Sequence, residues 1–169
     1  PELSSDEITV ADVFGSEQSA YIGKWHLTER MDYTHPGTLG WPHFSGTIAG
    51  TLEDYFAYEK TVNGAATTSE TYATTAVVDD ALAWLDGHDA KPWMLWVAFN
   101  AAHTPLHAPP DDLHDYDLTG LSAETDPLRF YQAMIQSMDT ELGRLLEGVD
   151  RDKTVIIYLG DNGTLTELN

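Results

Sequence analysis

Lys153-Thr154-Val155-Ile156-Ile157-Tyr158-Leu159-Gly160-Asp161-Asn162-Gly163 runs from apolar to polar within eleven positions. The β-branched and aromatic run 154–159 predicts a strand buried on both faces, the usual state inside a parallel sheet. Asp161 and Asn162 follow at once, where open α/β sheets place their ligand chemistry. Both side chains offer oxygen, which suits a hard cation such as Ca²⁺ or Mg²⁺. An Asn-Gly turn closing a strand accounts for the same residues.

Composition narrows the partners. The 169 residues suffice for one domain with a real core. With 28 acidic and 8 basic residues the formal net charge is −20, which argues against nucleic acid or an anionic membrane as partner. There is no cysteine, so the chain holds no disulfide, thiolate metal site or cysteine nucleophile. The longest apolar run, 93–99, is too short to span a bilayer. The chain begins at Pro1 without Met and stops at Asn169, ends that read as the edges of a fragment.

Outward from the stretch, the other elements fall into an alternating order. Ser4 and Glu7 have the spacing of a capping box, predicting a helix over 7–15. A short strand follows at 19–22 and leads into Gly23-Lys24-Trp25-His26-Leu27. Strand alternation would put Lys24 and His26 on one side, a cationic pair suited to an oxyanion. Residues 28–52, rich in Gly, Pro, Thr and His, read as a long loop in which His35 and His43 are solvated by default. A short strand is expected at 54–58, and Asn63-Gly64 is a turn signal.

A helix over 71–87 presents Ala73, Val77, Ala81, Trp84 and Leu85 as one stripe, leaving Asp79, Asp80 and Asp86 to solvent. A second buried strand over 93–99 delivers Asn100 and then His103. His103 and His107 have the spacing of helical zinc ligands, but Pro105 forbids the helix and excludes that reading. Asp126-Pro127 starts a helix to about residue 148. Its expected core face is Leu128, Tyr131, Ile135, Met138, Leu142, Leu145 and Val149. Asn162-Gly163-Thr164 matches a glycosylation acceptor, which a role as cation ligand would preclude. The order is that of an α/β doubly wound, mostly parallel sheet with helices on both faces.

Three motifs, in this order, resemble the sulfatase family of the alkaline phosphatase superfamily. Gly23-Lys24-Trp25-His26-Leu27 resembles its second signature, and residues 98–106, AFNAAHTPL, its central histidine motif. Asp161-Asn162-Gly163 resembles its metal-binding motif. Residues 40–46, GWPHFSG, are similar to a more loosely patterned segment. The resemblance covers nearly the whole chain and implies an alkaline-phosphatase-like fold, here incomplete, with residues 1–169 forming the central part of one catalytic domain.

It further implies hydrolysis of a sulfate ester of a small molecule or carbohydrate, by a formylglycine nucleophile held on Ca²⁺. Carried over, Asp161 and Asn162 bind the cation and Lys24 neutralises sulfate charge. His26 bonds the formylglycine hydroxyl, and His103 contacts the sulfate or the leaving oxygen. The formylglycine segment would lie upstream, so the isolated chain is expected to be inactive. A periplasmic or secreted location goes with the resemblance. Thr28, Ala102 and Gly160 depart from the family's usual Gly, Pro and Ser. A phosphodiesterase or phosphonate monoester hydrolase of the same superfamily would use the same residues. A non-catalytic binding domain would have little reason to keep all five.

Overall fold

The computed structural model describes residues 2–14, 18–28, 31–88 and 91–163. The chain divides into two compact units, one ending at Pro105 and one starting at Leu106. Among the described residues no helix is long and apolar enough to cross a membrane.

The first unit is built on one five-stranded sheet. Its strands are β1 (Ser19–Lys24), β2 (His43–Thr47), β3 (Tyr58–Val62), β4 (Ala65–Ser69) and β5 (Met94–Ala98), in the spatial order β4-β3-β2-β1-β5. β1 lies between β2 and β5 and is parallel to both. β3 and β4 extend the sheet in antiparallel fashion. The result is an α/β fold with a parallel centre and an antiparallel edge. β1 is buried along nearly its whole length, as the middle strand of such a sheet must be.

Helices cover both faces. Tyr21, Trp25, Trp41, Phe44 and Ile48 form an aromatic-rich core with Ala11 of α1 (Val10–Phe14) and with Leu39, just past α2 (His35–Thr38). Tyr21 meets Trp25 and Trp41 edge-on, with centroids 4.9 and 5.2 Å apart. Such pairs add about 0.5–1.5 kcal/mol to their area burial. Ser45, the next residue along β2 from Phe44, faces the other way and donates to Asp80 of α3 (Ala73–Asp86) at 2.7 Å. α3 buries the expected stripe, from Ala73 through Val77, Ala81 and Trp84 to Leu85.

Asp80 is not solvated as expected. It also takes Lys60 of β3 at 2.6 Å, a half-buried ion pair that ties helix to sheet. The Asn63-Gly64 turn joins β3 to β4 with both residues at positive φ (47° and 86°), the two-residue geometry that matches strand twist. Asn63 also accepts the Phe44 N–H at 2.9 Å, locking the hairpin onto β2.

Several expectations need correction. The span 28–52 is not one long loop: it contains α2 and β2, and β2 pairs in parallel with β1. The strand expected at 54–58 starts at Tyr58 instead. The first helix begins at Val10, because the Ser4 side chain accepts the Asp6 N–H and closes a separate turn; Gly15 lies outside the described residues.

In the second unit, α4 (Pro127–Glu147) starts at Pro127 as expected. The Asp126 carboxylate does not cap it, being taken by the Thr125 hydroxyl at 2.6 Å. Its buried face is Phe130, Ala133, Met134, Ser137, Glu141 and Leu145, while Leu128 and Ile135 are exposed. The buried Glu141 is paired with Arg144 at 2.7 Å. Residues 154–159 form no strand among the described residues. Val155, Ile157, Tyr158 and Leu159 are each at least 70% exposed. A strand needs the backbone of a neighbour, and no described strand pairs with this run.

Candidate functional site

β1 carries Lys24 to its carboxyl end. The Tyr21 hydroxyl donates to the Lys24 carbonyl at 2.6 Å and fixes the strand's last turn. Burial pushes that hydroxyl well above the usual tyrosine range, so it stays a donor. The Lys24 side chain is half-buried.

Trp25 then anchors the exit. Its N–H donates to Thr47 O at 2.9 Å, and its buried indole donates from Nε1 to His35 Nδ1 at 2.9 Å. His35 Nε2 meets the Leu3 carbonyl at 3.0 Å. An indole N–H only donates and a carbonyl only accepts, so the His35 proton sits on Nε2. His35 is therefore a structural histidine, 4% exposed, rather than a solvated one. His43 is half-buried, and that burial, offset in part by Asp80, holds its pKa below the usual range.

With Trp25 turned inward, His26 swings out. Strand alternation does not place it beside Lys24, because β1 ends at Lys24 and His26 adopts φ 52°. Its N–H bonds Ile48 O at 3.2 Å and its ring lies flat against Gly50. A Cβ at Gly50 would sit 2.3 Å from His26 Cγ and Nδ1. Gly50→Ala is therefore expected to evict the exposed His26 ring while the backbone stays. The check is the His26 imidazole resonance in a ¹H–¹³C spectrum, which should move while core resonances hold. An unmoved His26 resonance would contradict the contact.

His103 follows β5, the parallel neighbour of β1, with Ala98 paired to Gly23. Both strands thus deliver their polar groups at the same edge of the sheet. Asn100 is buried and donates from Nδ2 to Thr47 Oγ1 at 3.3 Å. The His103 N–H returns to Asn100 O at 3.0 Å. The peptide bonds Ala101–Ala102 and Thr104–Pro105 are cis. The His103 ring is exposed, with Nδ1 3.0 Å from Thr104 O. That bond keeps a proton on Nδ1 and leaves Nε2 as the nitrogen able to exchange one with a ligand.

The segment that leaves β2 supports both histidines. Thr47 holds Trp25 and Asn100, while Ile48 and Gly50 hold His26. Sequence reasoning assigned this segment to a long loop and did not identify its support of the two histidines. What it could have used is the Gly23/Gly46 pair, since two glycines at strand ends signal a close backbone approach.

Asp161 and Asn162 belong to the second unit and are exposed. Asp161 Oδ1 accepts the Asn162 N–H at 2.8 Å, a local turn bond. Their oxygens suit a hard cation but supply only a fraction of the roughly six to eight that Ca²⁺ takes. Among the described residues no group of three or more His, Asp or Glu side chains is poised to hold a metal. The glycosylation reading depends on Thr164, which lies outside the described residues.

The Sulfatase family model matches residues 1–168. The chain is similar to the uncharacterized sulfatase YdeN of Escherichia coli (strain K12), at 25% identity over 177 aligned residues, 88% of this chain and 31% of that protein. Arylsulfatase J of Mus musculus is 27% identical over 160 residues, 84% of this chain and 26% of that protein. The chain thus spans about a third or less of the curated relatives it matches. Ps i-CgsB, solved in complex with k-i-k-neocarrahexaose, superposes with a TM-score of 0.72 at 22% identity, covering 88% of this chain and 37% of that one. The putative sulfatase yidJ from Bacteroides fragilis gives 0.68 at 21% identity, covering 87% and 41%. These likenesses agree with the alkaline-phosphatase-like α/β fold.

Proposed function

The chain belongs to the sulfatase family, and on that premise we propose that the full-length protein hydrolyses sulfate monoesters. The observation that carries the reading is the gathering of Lys24 and His103 at the carboxyl ends of adjacent parallel strands, with His26 held just past the first. Cationic and proton-bearing groups at one sheet edge suit an oxyanion. One relative was solved with k-i-k-neocarrahexaose, and a sulfated carbohydrate is the substrate class this reading takes first. A periplasmic or secreted location accompanies it.

Each side chain has a role in this reading. The Lys24 ammonium pairs with a sulfate oxygen and offsets its charge. His103 donates a proton from Nε2 to the departing alkoxide or phenoxide as the S–O bond breaks. His26 hydrogen-bonds the nucleophile's hydroxyl and orients it. Asp161 and Asn162 contribute part of the oxygen shell of a Ca²⁺ ion. When bound, that ion and a formylglycine supply a Lewis acid and the nucleophile. The 169-residue chain has no cysteine from which formylglycine could be made, so turnover is sought in the full-length protein.

The test is a comparison of rates on an aryl sulfate and on a phosphate diester, with and without a Ca²⁺ chelator. Sulfate-ester turnover that exceeds diester turnover and falls on chelation is expected. Faster diester hydrolysis would overturn the reading in favour of phosphate chemistry.

A further inference from the structure

We propose that Tyr55 is a positioning residue for His103: its buried hydroxyl clamps both ends of the turn that presents the histidine. The hydroxyl lies 2.8 Å from Asn100 O and 2.9 Å from His103 O. The turn between them is closed by the His103 N–H bond to Asn100 O. One O–H thus serves two carbonyls at the base of the segment, in a three-centre arrangement. Tyr55 is 1% exposed, so water does not compete for that proton. Burial, reinforced by Tyr72, pushes its pKa well above the usual tyrosine value, and the hydroxyl remains a donor across the working pH range.

Tyr55 is also well placed to transmit rigidity. Its own carbonyl accepts the N–H of Ala73, the first residue of α3, at 2.8 Å. Its ring lies beside Tyr72, with centroids 6.3 Å apart. The other end of the turn is pinned through Asn100 to Thr47 of β2. The His103 ring, by contrast, makes its named bonds only to the neighbouring Thr104. The turn's backbone, rather than contacts of the ring, therefore sets where His103 Nε2 points, and Tyr55 holds that backbone from beneath. A displacement of about 1 Å at a proton donor costs turnover on the order of a hundredfold.

The inference rests on the sulfatase reading for its kinetic arm only. In full-length Tyr55→Phe, hydrogen exchange of the peptide spanning 99–105 should rise at least severalfold. With an aryl sulfate, kcat should fall about 10- to 100-fold while KM stays within about twofold. Tyr33→Phe, which removes a surface hydroxyl bonded to Glu59, should change neither. Placing 4-aminophenylalanine at position 55 restores a donor at the same point and should recover both. That recovery also decides the matter if the phenylalanine variant melts early. Wild-type exchange at 99–105 in Tyr55→Phe, or no recovery with the amino analogue, would overturn the assignment. A full-length protein without sulfate-ester turnover would instead sink the sulfatase reading and leave the exchange result to decide Tyr55.

Discussion

His103→Ala in the full-length protein is expected to lower kcat/KM for a sulfate ester by roughly 10²–10⁴, the usual reach of a positioned proton donor. The loss should grow as the leaving group worsens. A phenoxide with an acidic parent departs almost unaided, whereas an alkoxide needs the proton as the S–O bond breaks. An alkyl or sugar sulfate should therefore suffer more than an activated aryl sulfate. Stability should barely change, because the ring is exposed and its bonds run to the next residue. Surface changes of that kind stay within about 0.5 kcal/mol. Parallel kinetics on both substrates, with a thermal melt, make the check. Equal losses on the two would remove the proton-donor role and leave His103 as a binding group.

Gly46→Ala carries the largest expected effect on folding. A Cβ at Gly46 would lie 1.9 Å from Gly23 O and 2.7 Å from Gly23 N, both backbone atoms of the paired strand β1. β1 cannot retreat, since Gly23 faces Ala98 of β5 in the same way, with a hypothetical Cβ 1.9 Å from Ala98 O. Three parallel strands are thus in close approach along one line at their carboxyl ends. Overpacking of cores costs about 1–3 kcal/mol even where side chains can yield. Here only backbone can move, and a loss of at least about 3 kcal/mol is expected. For a unit of this size that is a drop of about 12 °C or more in Tm. Gly37→Ala, where nothing lies within 4 Å of the added atom, is the matched control and should be nearly neutral. A Gly46→Ala protein that melts with the control would contradict the strand spacing.

The parts of the fold legible in the sequence are those whose signal is local. α3 announced itself through the 3.6-residue stripe from Ala73 to Leu85 and β5 through its apolar run, while Asn63-Gly64 marked a turn without showing the two strands it joins, β3 being expected at 54–58 and β4 not at all. β2 was hidden because His43-Phe44-Ser45-Gly46-Thr47 is short, every residue but Phe44 is small or polar, and its partner in β1 lies more than twenty residues away. The face of α4 was misjudged because Ser137 and Glu141, polar by type, are buried with Phe130 and Met134. The run 154–159 has the composition of β5 but has no paired neighbour among the described residues, a property no composition encodes. In the candidate site, Lys24, His26 and His103 stood out by their chemistry. Thr47, Gly50 and Tyr55 did not, since Thr47 acts through its carbonyl and a hydroxyl turned to Asn100, Tyr55 through a hydroxyl aimed at backbone, and Gly50 through empty space.

The uncovered run 155–159 has a bearing on handling in solution. Five successive apolar side chains, with no strand pairing among the described residues, offer a template on which a second copy can zip. What opposes such encounters is the net charge of −20, whose repulsion reaches only about 8 Å at physiological ionic strength. Concentrated stocks of the isolated chain are therefore best kept dilute in salt and well above the isoelectric point near 4.3, where like charge keeps the molecules apart.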